Sequence, residues 1–217
     1  MAISRIGILG SGDVGKTLGA GFLEYGYKVM IGSRSPEKLA DWIKGPGKNA
    51  LTGSFSDAAA FGELLVLAIK ATKAQSALAL AGQKNLEGKT VIDATNPIAD
   101  DPPENGVIKY FTTLNKSLME QLQEEHPNAR FVKAFNSIGC ALMVNPDFGS
   151  EKPTMFIAGN NDQSKKDVGK ILDLFGFEVE DMGKAEAARA IEPLCMLWCI
   201  PGLLHNDWAH AFRLLKK

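Results

Sequence analysis

The residues Gly10-Ser11-Gly12-Asp13-Val14-Gly15-Lys16-Thr17 fit two phosphate-binding patterns at once. Spaced as G-x-G-x-x-G they match a dinucleotide fingerprint; spaced as G-x-x-x-x-G-K-[ST] they match a triphosphate loop. Both uses place a helix start after a strand, where unpaired backbone N–H groups and the helix dipole favour an anion. The discriminating residues lie elsewhere. A triphosphatase needs an acid at the end of an apolar strand to hold Mg²⁺, and Val91-Ile92-Asp93 has that form. A dinucleotide fold reads the ribose at the tip of its second strand, with an acid for a 2′-hydroxyl or a basic residue for a 2′-phosphate.

That tip is Ser33-Arg34-Ser35, after Val29-Met30-Ile31-Gly32, and it holds no acid. Two hydroxyls flank a guanidinium able to make a forked, charge-assisted contact to phosphate, and Lys38 follows one turn later. The set favours NADP over NAD. Gly19, four residues beyond Gly15 on one helix face, allows close helix–sheet approach. Lys16 then becomes a solvent-facing residue of the first helical turn, and Asp93 a strand-end residue bonded to local backbone. The triphosphatase remains a remote alternative.

Other chemistries leave little trace. No Tyr-x-x-x-Lys pair, Ser/His/Asp set or H-E-x-x-H segment occurs. His126, His205 and His210 are scattered, so no metal site is expected. Cys195 and Cys199 share a helix face among Leu194, Met196, Leu197 and Trp198, which reads as buried apolar thiols. Three cysteines give no disulfide framework and fit a reducing, cytoplasmic setting. A net charge of -1 removes the electrostatic case for nucleic acid. No uninterrupted window reaches the ~18 apolar residues of a membrane span, and MAISRIGILG lacks the form of a signal peptide; no membrane association is expected.

These residues must be positioned by alternating strands and helices. Strands are expected at Ile3–Leu9, Lys28–Gly32, Ala50–Gly53, Glu63–Ile69, Thr90–Ala94, Arg130–Phe135, Thr154–Ala158 and Phe177–Asp181. Helices are expected at Val14–Tyr25, Pro36–Ile43 (with Ser35 as N-cap), Ser56–Phe61, Thr72–Leu80, Thr113–Glu125 and Ser164–Phe175, and over most of Ala185–Lys217. Asp100–Gly106 reads as an exposed loop. The alternation predicts an α/β, Rossmann-type, doubly wound and mostly parallel sheet with ligands beyond the strand carboxyl ends. Residues 1–183 would form the NADP-binding domain. Residues 184–217 would form a short C-terminal helical segment whose apolar Leu194–Leu215 stretch predicts a homodimer interface.

Taken with IGSRSPEKL and KAFNSIG, the glycine-rich stretch resembles the coenzyme F420-dependent NADP reductases and the cytosolic NADPH-oxidising domain of six-transmembrane metalloreductases. The resemblance covers about Ile3 to Glu192. It implies hydride transfer between NADP(H) and a flavin or deazaflavin acceptor (F420, FMN or FAD as co-substrate) by alignment of two rings, without a catalytic side chain. It places Gly10, Ser11, Gly12, Asp13, Val14 and Gly15 at the pyrophosphate, and Ser33, Arg34, Ser35 and Lys38 at the 2′-phosphate. Ala68, Ile69 and Lys70 would pass the nicotinamide ribose, and Asn96, Pro97, Phe135 and Asn136 would border the nicotinamide. Where the methanogen-type reductases carry a proline followed by an aromatic–acid–His stretch, this chain has Lys70-Ala71-Thr72-Lys73. A non-catalytic NADP-binding redox sensor is the alternative function.

Overall fold

Apolar runs too continuous to face water on either side build the first half of the molecule. In the computed structural model, which describes residues 3–217, β1 (Arg5–Leu9) and β4 (Leu64–Leu67) are buried along almost their whole length, as expected of parallel strands covered on both faces. Contacts divide the chain into two units, Met1–Thr95 with His126–Arg130, and Asn96–Glu125 with Phe131–Lys217.

The first unit orders β1, β2 (Lys28–Gly32), β3 (Leu51–Gly53), β4 and β5 (Thr90–Asp93) as β3-β2-β1-β4-β5, all parallel. The order reverses between β1 and β4, the switch point where open α/β sheets bind ligands. Between β1 and β2 runs α1 (Asp13–Glu24), with Leu18 and Phe22 buried. A Cβ on Gly19 would stand 3.2 Å from Ile31 and 3.4 Å from Ile8, so its absence lets α1 lie flat on the sheet. The crossover after β2 differs from the single helix expected. Pro36–Leu39 is a 3-10 turn, continued by α2 (Ala40–Lys44), and Ser35 makes no side-chain cap bond. Its N–H instead donates to Ser33 Oγ at 3.1 Å. By contrast α3 (Phe55–Phe61) carries a capping box between Ser54 and Asp57. The helices α4 (Ala74–Ala81) and α5 (Gln83–Leu86) precede β5.

In the second unit α6 (Leu118–Glu125) starts later than the expected Thr113. Thr113–Lys116 is a turn, and Ser117 and Glu120 exchange side-chain bonds with each other's N–H groups in the S-x-x-E pattern of a helix start. Three strands follow: β6 (Arg130–Lys133) antiparallel to β7 (Thr154–Gly159), and β7 parallel to β8 (Glu178–Asp181) across α7 (Asp162–Leu174). The expected continuation of β6 to Phe135 fails because Phe135 has φ 63°.

The last helix, α8 (Ala188–His205), is shorter than the helical segment expected to Lys217. Asn206 turns left-handed at φ 55°, and the N–H groups of Asn206 and Asp207 close back on the carbonyls of Gly202 and Pro201, a helix stop in which asparagine is tolerated. Residues 206–217 then run without regular secondary structure. Ala185–His205 is long and apolar enough to cross a membrane by length and composition alone. One face of α8 is nonetheless fixed inside its own unit by a buried ion pair. Glu192 Oε1 lies 2.9 Å from Lys133 Nζ, both side chains almost fully enclosed. The same carboxylate accepts the N–H groups of Leu118 and Met119 at the start of α6, 3.0 Å each.

Candidate functional site

In the first unit the expected nucleotide residues gather at the carboxyl ends of β1, β2 and β4. Only Gly10–Gly12 separate β1 from α1, so Asp13 to Lys16 already lie inside the helix. A triphosphate loop wraps its ligand with the residues between its two glycines, and here Asp13 and Val14, half of those residues, are already helical. The dinucleotide spacing is the one the backbone uses. Gly10 takes φ 133°, and a Cβ on it would stand 2.0 Å from the Ala68 carbonyl oxygen; a Cβ on Gly15 would stand 2.1 Å from the Gly10 carbonyl oxygen. These two contacts let strand, turn and helix close tightly.

Gly12, the N-cap, offers no side chain to the first N–H groups of α1, and nothing lies within 4 Å of where its Cβ would be. An uncapped helix start opening on free space suits a pyrophosphate. The two phosphate-reading segments also touch: Ser11 Oγ lies 2.9 Å from Ser33 Oγ. Ser33 is buried, and its N–H donates to the Gly53 carbonyl at 2.9 Å. Arg34 and Lys38 are exposed, and no carboxylate pairs with either among the described residues. The tip of β2 thus presents two unneutralised cations beside fixed hydroxyls, a donor set that fits a 2′-phosphate. Ala68 is buried, Ile69 half-buried and Lys70 exposed at the end of β4. Lys16 is half-buried rather than solvent-facing. Asp93 Oδ1 accepts Thr95 N–H at 3.0 Å and Thr95 Oγ1 at 2.6 Å, the local role expected of a strand end.

The four remaining expected residues lie in the second unit. Asn96 Nδ2 donates to the Asn136 carbonyl at 2.7 Å, which orients its amide. Asn136 Nδ2 then donates to Asn96 Oδ1 at 3.2 Å and to the Ile191 carbonyl at 2.9 Å. Both neighbours are acceptors, so the Asn136 amide cannot flip. Its Oδ1 is left buried with no hydrogen-bond partner, a state costing about 1–3 kcal/mol. The preceding Phe135 combines a bulky side chain with a left-handed backbone, an uncommon and strained pairing that clusters at functional sites. Its N–H donates to Met155 Sδ at 3.1 Å, and its ring packs 6.1 Å from those of Phe175 and Phe177. Pro97 is buried beside this pair in sequence.

Sequence reasoning missed the supports of this segment, namely Lys133, Glu192 and Tyr110. Tyr110 donates to the Glu192 carbonyl at 2.8 Å, and burial pushes its hydroxyl well above the ordinary phenol range. A signal existed, since Lys133 interrupts an otherwise apolar strand. Cys195 is buried as expected, while Cys199 is half-exposed with its sulfur 4.0 Å away. The hydrogen bond between them raises Cys195 and lowers Cys199.

Comparison with known proteins agrees with this geometry. Residues 5–97 match the family described as NADP oxidoreductase, coenzyme F420-dependent. The rat Metalloreductase STEAP3 is 31% identical over 205 residues, covering 92% of this chain, which spans only 39% of that protein's length. The F420-dependent NADP reductase of Methanothermobacter thermautotrophicus is 27% identical over 208 residues, covering 91% of this chain and 87% of the reductase. A crystal structure from Arthrobacter sp. FB24, assigned as an F420-dependent NADP reductase, superposes with a TM-score of 0.91 at 28% identity, covering 99% of this chain and all of that one. The match over residues 5–97, the glycine turn and the β2 tip together make this chain similar to the coenzyme F420-dependent NADP oxidoreductases, NADP-dependent reductases with the same fold.

Proposed function

We propose that this protein is an NADPH-dependent oxidoreductase passing hydride between NADP(H) and a flavin or deazaflavin acceptor. The observation that carries the cofactor half is the β2 tip, where Ser33 is fixed by Ser11 and Gly53 while Arg34 and Lys38 stay unpaired. The uncapped start of α1 holds the pyrophosphate, and the cations hold the 2′-phosphate. Bound NADPH supplies the hydride. The protein's part is orientation, which suits a chain whose candidate segments carry amides and backbone groups rather than an acid–base pair. Asn96 and Asn136, locked to each other, and the strained Phe135 are the residues proposed to border the nicotinamide.

Calorimetric titration with NADP⁺ and NAD⁺ tests the cofactor, with clear preference for NADP⁺ expected. Turnover of NADPH against FMN, FAD and coenzyme F420 tests the acceptor. Tight NADPH binding with no turnover on any of the three would instead favour the redox-sensor alternative.

We further propose a cytoplasmic homodimer joined through α8. Leu197, Leu203 and Leu204 on α8 and Trp208 after it remain exposed, an apolar surface that a second copy would cover. Sedimentation at micromolar concentration should return twice the 23.3 kDa chain mass; a species of single mass would refute the dimer.

A further inference from the structure

The segment Phe135–Gly139 carries the strained residue and the orphaned acceptor of the second unit; one end rests on a residue held by the C-terminal tail and the other on the neighbour of one. At the far end, a Cβ on Gly139 would stand 2.7 Å from the Trp198 ring, so the indole lies flush against that glycine. Trp198 is in turn clipped to His210 by two reciprocal bonds: Trp198 Nε1 donates to the His210 carbonyl at 2.8 Å, and His210 Nε2 donates to the Trp198 carbonyl at 2.9 Å. The two rings stack 4.9 Å apart at 30°. Trp208 closes the clip from the other side, 5.6 Å from Trp198 and seated on Gly202, where any Cβ would stand 2.2 Å from its ring.

At the near end, the strained Phe135 N–H is held by Met155. The adjacent Thr154 is pinned by the same tail, its N–H donating to the Phe212 carbonyl at 2.8 Å and its Oγ1 accepting the Leu214 N–H at 3.0 Å. Residues with no regular secondary structure of their own would not hold a path this specific without such bonds.

We propose that residues 206–214 are a positioning strap: the Trp198–His210 clip and the Thr154 anchor hold Phe135–Gly139 in the conformation that serves the bound nicotinamide. The strap acts through Trp198 and Met155, so Trp198 and His210 are positioning residues. The functional consequence rests on the reading above, but the mechanical claim does not.

Hydrogen exchange on the full chain tests it. His210→Ala removes the Nε2 donor and the stacked ring, and should speed exchange of the 135–139 amides about tenfold while β1 to β5 stay unchanged. His210→Gln, whose side-chain amide reaches the Trp198 carbonyl, should restore protection. Trp198→Phe, which keeps a ring against Gly139 but loses the Nε1 donor, gives an intermediate effect and serves if the alanine variant fails to fold. Loss of protection in 208–214 with none in 135–139 would overturn the proposal. In parallel, NADP⁺ affinity relative to 2′,5′-ADP should fall about three- to tenfold in His210→Ala, because only NADP⁺ carries the nicotinamide half. An unchanged ratio alongside faster exchange would also overturn the functional role. Failure of 2′,5′-ADP to bind the unaltered protein would sink the NADP reading instead, leaving the exchange result to decide the strap.

Discussion

Replacing Arg34 by alanine tests the residue proposed to distinguish NADP from NAD. Arg34 is exposed and has no carboxylate partner among the described residues, so its removal breaks no internal ion pair and should leave stability unchanged. On the proposed function it removes a charge-assisted contact to the 2′-phosphate, worth about 1.5–3 kcal/mol in general. Solvent around an exposed guanidinium screens part of that, which places the loss near 1.5–2 kcal/mol. At about 1.4 kcal/mol per factor of ten, NADPH binding should weaken roughly 10- to 30-fold. NADH, lacking the phosphate, should change by less than about twofold. Isothermal titration of both cofactors against both proteins gives the comparison, and raising the salt concentration should shrink the NADPH effect. Equal weakening of NADPH and NADH would refute the assignment, since it would mean that Arg34 serves the shared adenosine or the fold. No change in either would move the 2′-phosphate away from the β2 tip.

Two further outcomes follow from packing and charge. Gly15→Ala should destabilise the protein although alanine is ordinarily the better helix former by about 1 kcal/mol. The added Cβ would stand 2.1 Å from the Gly10 carbonyl, and urea unfolding should show a loss rather than a gain. Burial pushes the Glu120 carboxyl up, but the bidentate Arg189 guanidinium and the Ser117 N–H and hydroxyl outweigh it and hold the group at about 2. A folded-state pKa below the unfolded value stabilises above the unfolded pKa, so this contribution should vanish as pH falls from about 4.5 to about 2. Denaturant titrations across that range should show the decline, and Glu120→Gln should flatten it.

Local chemistry was readable wherever neighbouring residues decide it. The glycine spacing, the acid-free Ser33-Arg34-Ser35 tip and the alternation of strands and helices are patterns of a few to about thirty residues, and they carried the family resemblance as well as the fold class. The capping pair Ser117 and Glu120 is equally visible in the sequence and marks a start for α6 later than Thr113. Other boundaries depended on distant partners. Nothing in V-K-A-F-N announces that the chain turns left-handed at Phe135, because that strain is held by Met155 and two phenylalanines 40 residues and more downstream in Phe175 and Phe177.

The sequence by itself carried the glycine-rich turn after β1 and the acid-free, cationic tip of β2 on which the NADP proposal rests, because short-range spacing and charge suffice for both. The tertiary structure decided what lies beyond the reach of local pattern. It showed that Lys16, expected to face solvent, is half-buried, since only the packed fold reveals what covers the first turn of α1. It showed that Ser11 touches Ser33, a bond across two strands. And it showed that the last twelve residues, apolar enough to read as helix, fold back after Asn206, because Trp208 and His210 gain more by packing on Gly202 and Trp198 than by extending α8 into water.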